Sequence, residues 1–218
     1  MELSEAMRTT GTCRYYSDQH VSDEVLHAAF DNARFGPQGG NRQPVRWIVV
    51  RDEAKKQRLA ELYLPYWEAY YDAILEGTKN VGAVPATVQS ANYFAHHLGE
   101  VPILIVVCAE VDGLHPTDHE LDRLSVVGGA SIYPTVQNLT LALREQGVAS
   151  AITTLLCAEE PAVKELLGIP EQFAVAAVVP LGKPVKQPTR LRRQPVEEFV
   201  TWQRFDGEPL AEAPEQSR

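Results

Sequence analysis

The basic residues of this sequence are concentrated in three stretches that contain no acid. Residues 183–193 carry Lys183, Lys186, Arg190, Arg192 and Arg193, residues 32–51 carry Arg34, Arg42, Arg46 and Arg51, and residues 6–17 carry Arg8 and Arg14. The chain as a whole is acidic, with 20 Lys and Arg against 29 Asp and Glu and a net charge of -9. Acid-free positive segments in an acidic protein suit the gathering of a small anion, although solvated surface loops would look the same. Thr12 and Arg14, two residues apart, offer a hydroxyl donor and a planar guanidinium fork of the kind that grips phosphate. Arg192 and Arg193 can supply a second side of the same clamp. Each such charge-assisted bond contributes about 1.5–3 kcal/mol, so two or three hold a nucleotide without a glycine-rich strand–helix loop. The run Pro37-Gln38-Gly39-Gly40-Asn41-Arg42-Gln43-Pro44 combines two glycines, which let the backbone approach a ligand, with amides at Asn41 and Gln43 that both donate and accept. Amides suit the alternating edge of a heterocycle; an ordinary turn has the same composition.

Other chemistries are excluded. There is no G-x-G-x-x-G after a strand, no G-x-x-x-x-G-K-[ST] and no G-x-S-x-G, since Gly129-Ala130-Ser131 continues to Tyr133 where the second glycine should stand. His115 and His119 are four apart but separated by Pro116, and with the adjacent His96-His97 they read as surface histidines, so no metal site is expected. Cys13, Cys108 and Cys157 are odd in number and form no C-x-x-C pair, which reads as core thiols in a reducing, cytoplasmic chain. The acidic N-terminus lacks an apolar secretory segment, and no apolar run reaches the roughly 18 residues of a membrane span. The net charge argues against nucleic acid and anionic membrane as partners.

The elements that would hold these residues follow from periodicity and punctuation. The 218 residues, 44% apolar and 22% charged, are enough for one domain with its own core. Residues 22–34 read as a helix capped by Ser22, with Leu26, Ala29, Phe30 and Ala33 on one face, stopped at Gly36-Pro37. Val45 to Val50 is a strand. Residues 53–76 form a long helix with Leu59, Leu62, Tyr66, Tyr70 and Ile74 in phase and a bend at Pro65, and another helix covers about 86–97. Strand Ile103 to Ala109 follows, then a helix from near Gly129 to before Gly147. A short extended piece spans Ala151 to Leu156, a helix Glu160 to Leu167 ends at Gly168, and Phe173 to Val179 is apolar throughout, as a doubly covered strand should be. Strands separated by helices predict a layered α/β or α+β domain.

Taken in order, Thr12-Cys13-Arg14-Tyr15-Tyr16, Pro37 to Pro44, Gln137-Asn138-Leu139 with Leu141-Ala142-Leu143 before Gly147, and Arg192-Arg193-Gln194-Pro195 resemble the FMN-dependent nitroreductase family over about residues 4–200. The family opens with an Arg-x-Ser-x-Arg type motif and continues with Pro-Ser-x-x-Asn-x-Gln-Pro-Trp. The resemblance implies an α+β fold with a central mixed sheet flanked by helices, and a homodimer with two FMN sites at the subunit interface. Thr12, Arg14, Arg193 and Arg192 would bind the FMN phosphate. Gly39, Gly40, Asn41 and Gln43 would come from the other subunit to line the flavin, and Ile152, Thr153 and Thr154 would stack on the ring and offer backbone N–H groups near its N5. This chain departs from the pattern at Thr10, where the first Arg would fall, at Gln38 in place of Ser, and at Val45 in place of Trp.

The implied chemistry is carried by flavin N5 and needs no side-chain acid or base: NAD(P)H gives a hydride, leaves, and a nitroaromatic, quinone or similar small acceptor takes its place in ping-pong fashion. Alternatives are a non-catalytic flavin-binding or sensing protein of the same fold, or other flavin chemistry such as reductive dehalogenation. The aromatics Tyr63, Trp67, Tyr70, Tyr71, Tyr93 and Phe94 would wall an acceptor cleft, or serve equally as helix core. Residues 1–195 form the expected flavin domain. Residues 196–218, with Phe199, Trp202 and Phe205 among Glu and Pro, form an arm expected to exchange onto the partner subunit.

Overall fold

The computed structural model describes residues 1–78 and 84–211. Its elements run α1 (Leu3–Thr9), α2 (Asp23–Ala33), β1 (Val45–Val50), α3 (Glu53–Thr78), α4 (Ala86–His96), β2 (Ile103–Glu110), α5 (Tyr133–Glu145), β3 (Ala149–Ser150), α6 (Glu160–Leu167) and β4 (Phe173–Gly182). The four strands form one sheet in the order β1-β2-β4-β3. The class is α+β with a helix-flanked sheet, as expected, but the sheet is not mixed: each of its pairings among the described residues is antiparallel. The connection explains the difference. One crossover helix would leave β2 parallel to β1, whereas two successive helices, α3 and α4, return the chain to the end it left and reverse it.

β2 shows how sequence sets the layers. Side chains alternate across a strand: Ile103, Ile105, Val107 and Ala109 join the core shared with α2 and α5, while Leu104, Val106 and Cys108 join the one shared with α3, α4 and α6. Both faces are covered, and each Val, Leu or Ile so buried contributes about 1.5–3 kcal/mol.

The helices follow local rules. The Ser22 side chain accepts from Val25 N at 3.4 Å, capping α2, and α6 closes on Gly168 at φ 67. α5 starts at Tyr133 rather than Gly129, which leaves Pro134 in the first turn, where its missing N–H costs nothing. The buried stripe of α3 is Leu59, Tyr63 and Trp67; of the expected line Leu59, Leu62, Tyr66, Tyr70 and Ile74, Leu59 is buried, Leu62 and Tyr66 are half-buried and Tyr70 is exposed. Both stripes are apolar, and the sheet selects the first. Tyr66 turns aside to donate to Glu159 Oε1 at 2.6 Å. The expected extended piece 151–156 is a single bridge, Thr153 to Val178, before the chain tightens into a 3-10 turn at Leu155–Glu159. α1 escaped the sequence reading because Ala6 is its one buried residue.

Candidate active site

The 11–17 segment is drawn as an extended strip along the end of the sheet. Cys13 N donates to Ser150 O at 2.9 Å, Ser17 N to Lys183 O at 2.8 Å, and Val185 N to Tyr15 O at 3.1 Å. Alternation then buries Gly11 and Cys13 and turns Thr12 and Arg14 outward. Burial pushes the Cys13 thiol up, so this cysteine is packing and not a nucleophile.

Beside this strip, Ala151 N donates to Pro180 O at 3.0 Å, Thr153 N donates to Val178 O at 3.0 Å, and Val178 N donates back to Thr153 O at 2.8 Å. Odd-numbered backbone groups are thus committed to the sheet, and the same alternation turns the amide of Ile152 the other way. The Thr153 amide, one of the expected ligand donors, is therefore spent on β4.

Two cavities meet here. One, of about 210 Å³, is lined by Thr12, Arg14, Ile152 and Thr153 together with Tyr63, Trp67, Tyr70 and Phe94. The other, of about 170 Å³, is lined by Thr10, Thr12, Gln137, Thr140, Ser150 and Ile152. They share Thr12, Ala151 and Ile152. The first is aromatic, and Arg14 is the one charged group among its described lining residues; the second is rich in hydroxyls and amides. Tyr71 and Tyr93 lie outside the lining, Tyr71 being stacked on Trp67 instead. The Tyr63 phenol sits above its ordinary pKa, chiefly through burial, and lies 3.4 Å from the Thr153 hydroxyl, which donates to it.

The C-terminal basic segment reaches the polar end. A Cβ on Gly11 would stand 2.8 Å from Leu191 Cδ2 and 3.2 Å from the Pro188 ring, so residues 188–191 press on the backbone just before Thr12. Arg192 and Arg193 follow directly and are exposed; Arg193 donates to the Arg192 carbonyl at 2.7 Å.

The Gly39–Gln43 loop stands apart. Gly39 lines a separate cavity of about 430 Å³ with Gln38, Arg42, His115 and Ser131. Gly40, Asn41 and Gln43 all have positive φ, at 60°, 52° and 53°, which only glycine adopts freely and which Asn tolerates better than most. Gly39 N donates to Ser131 Oγ at 3.0 Å. Gln38, which stands where the family motif has Ser, buries its Oε1 with no hydrogen-bond partner. Of the residues expected from sequence, the fold brings Thr12, Arg14, Ile152 and Thr153 together; Arg192 and Arg193 follow Leu191 in the chain but line neither cavity. Thr154 lines another cavity with Tyr133 and Cys157. Thr10, Gln137, Thr140 and Ser150 were missed as lining. Gln137 already stood in the Gln-Asn-Leu motif, but nothing in its spacing gave it a role.

No group of three or more His, Cys, Asp and Glu among the described residues could hold a metal ion, and no described helix is long and apolar enough to cross a membrane. The sequence model of the nitroreductase family matches residues 7–183, and this chain belongs to that family. It is 28% identical over 186 residues to a protein assigned in Archaeoglobus fulgidus as an NADH dehydrogenase/NAD(P)H nitroreductase, spanning 84% of this chain and 86% of that one. It is 25% identical over 209 residues to iodotyrosine deiodinase 1 of Homo sapiens, spanning 91% of this chain and 68% of the relative. Among solved structures, an oxidized iodotyrosine deiodinase bound to FMN and 3-iodo-L-tyrosine superposes with a TM-score of 0.71 at 20% identity, covering 94% of this chain and 100% of that one. At that identity the likeness speaks for the fold.

Proposed function

We propose that this chain is an FMN-dependent oxidoreductase that draws on NADH or NADPH to reduce a flat, electron-poor acceptor such as a nitroaromatic or quinone. The observation that carries the reading is a pair of neighbouring cavities that share Thr12, Ala151 and Ile152 in their lining, one rich in hydroxyls where residues 188–191 press on Gly11, the other aromatic. That pattern complements a molecule with phosphate at one end and a flat ring at the other, and family membership and an FMN-bound neighbour of the same fold support it.

When bound, the flavin supplies the hydride chemistry. The chain supplies position and charge. Thr12 with Arg192 and Arg193 holds the phosphate end. Arg14, expected at the phosphate, is assigned instead to the ring end, because it lines the aromatic cavity and not the polar one, and its charge favours electron density on the ring. The outward amide of Ile152 is the backbone donor free to meet the ring. Tyr63, Trp67, Tyr70 and Phe94 exclude water and stack on flat partners, so donor and acceptor use one cleft in turn.

Gly39, Gly40, Asn41 and Gln43 serve the site of a second copy, which accounts for a ligand-like loop lying away from Thr12 and Arg14 in its own chain. Residues 1–195 form the flavin domain, and the arm after it packs on that copy through residues 196–211, the rest of the expected arm, 212–218, lying outside the described residues. Phe199, Trp202 and Phe205 are 62%, 58% and 102% exposed, and a homodimer covers them. With its cysteines free, the protein is suited to a reducing, cytoplasmic setting.

Reductive dehalogenation is the second reading, favoured by the likeness to iodotyrosine deiodinase. The test is the absorbance spectrum of the purified protein followed by assay against a quinone, a nitroaromatic and 3-iodotyrosine. Yellow protein that turns over the first two is the expected result; colourless protein that takes up no FMN refutes the reading.

A further inference from the structure

Arg14 does not stand free. Its Nη1 donates to Ser90 Oγ on α4 at 3.2 Å, and Ser90 Oγ in turn donates its proton to Thr87 O at 2.9 Å. The second bond decides the polarity of the first: with its hydrogen spent on Thr87, the Ser90 hydroxyl presents a lone pair to the guanidinium and can only accept. One nitrogen of the Arg14 fork is thereby anchored while its remaining N–H groups stay available to a ligand in the cavity. α4 is itself held against this strip. Tyr93, one turn from Ser90, stacks on Tyr15 with ring centroids 4.8 Å apart and on His97 at 3.9 Å. Asn92 Oδ1 accepts from Trp67 Nε1 at 2.8 Å. The helix that offers Ala91 and Phe94 to the aromatic cavity therefore carries, on the same turns, the anchor of that cavity's cation.

We propose that Ser90 is a positioning residue for Arg14: it fixes the guanidinium at the ring end of the flavin cleft, so that this charge is pre-organised before the ligand arrives. The proposal rests on the flavin reading above. A long side chain pinned at one nitrogen loses less rotamer freedom on meeting its ligand than one that swings in solvent, and that saving appears as affinity.

The test is a double-mutant cycle on FMN dissociation, read as flavin fluorescence recovered on serial dilution of the full-length holoprotein. Ser90→Ala should weaken FMN about threefold to tenfold, the span of one net hydrogen bond, and Ser90→Thr, which keeps the hydroxyl, should retain most of the affinity. Arg14→Ala should weaken FMN more, and adding Ser90→Ala to it should change nothing further. Unchanged affinity in Ser90→Ala, or the same loss in both backgrounds, overturns the proposal, the latter because Ser90 would then act through the packing of α4. If Arg14→Ala itself leaves FMN affinity intact, the flavin reading of this cleft fails and the proposal falls with it. Circular dichroism and urea unfolding of each variant should match the parent, so that a loss of FMN affinity is not a loss of fold.

Discussion

Replacing Gly11 by alanine separates the two ends of the proposed cleft. Gly11 is buried and its φ lies outside the left-handed region, so alanine meets no backbone penalty there; its effect comes from the new methyl alone. That methyl would stand 2.8 Å from Leu191 Cδ2 and 3.2 Å from two atoms of the Pro188 ring. The strip on which Gly11 sits is bonded into the sheet through Cys13 and Ser17, whereas residues 189–190 and 192–195 are exposed. The tail therefore yields. Overpacking in a rigid core costs about 1–3 kcal/mol, and a largely exposed neighbouring segment that can shift keeps the global cost at the low end of that range. What moves with Leu191 is the Arg192–Arg193 pair. Displacing one charge-assisted bond to the phosphate removes about 1.5–3 kcal/mol, a loss of about tenfold to a hundredfold in FMN affinity. Riboflavin, which has the ring and no phosphate, should bind Gly11→Ala as it binds the parent. Fluorescence titration with both ligands is the assay. Equal losses for FMN and riboflavin, or no loss for FMN, would refute the placement of the basic tail at the phosphate end.

Three further outcomes are expected. Tyr70, 55% exposed at the rim of the aromatic cavity, should be replaceable by alanine without loss of stability or FMN, while KM for an aromatic acceptor rises about twofold to tenfold, the value of one ring contact; unchanged KM would place the acceptor elsewhere. Leu104→Ala, at a fully buried position of β2, should cost about 2–5 kcal/mol in urea unfolding at fixed protein concentration, and a cost under 1 kcal/mol would contradict the assignment of that face to the core. The Asp118 carboxyl accepts from Ser125 Oγ at 2.7 Å, Val126 N at 2.9 Å and Arg123 Nη1 at 2.7 Å. These bonds, the hydroxyl first, hold it down at about 2 against an ordinary value of 3.8. Because its pKa is lowered on folding, its hold on the 118–126 loop is complete above pH 3.8 and fades as pH falls toward 2. Limited proteolysis with an acid protease should therefore cut this loop increasingly below pH 3.8, and a flat cleavage profile would refute the anchor.

The parts of the fold with a sharp period or punctuation were legible in the sequence. The β1 boundaries, the Ser22 cap and the Glu160-to-Leu167 helix with its Gly168 stop are local properties, and the structure keeps them. Direction in the sheet was not local: whether β2 runs with or against β1 depends on how two helices pack, which no strand encodes. The face of α3 was ambiguous for a related reason, since two aromatic stripes compete and the sheet decides between them. In the site, Thr12 and Arg14 stood out by residue type. Ser90 did not, because an isolated serine on a helix carries no signal until the fold brings it 3.2 Å from Arg14. The commitment of the Thr153 amide to Val178 was equally invisible, being set by the register of the sheet edge.

The central claim is that the joined cavities hold a flavin that takes reducing equivalents from a nicotinamide. Anaerobic mixing of FMN-loaded protein with NADH or NADPH, followed by absorbance in the flavin band, tests it most directly. Rapid bleaching is expected with at least one of the two, with recovery of colour when a quinone is added. Flavin that binds yet stays oxidised with both donors would contradict it.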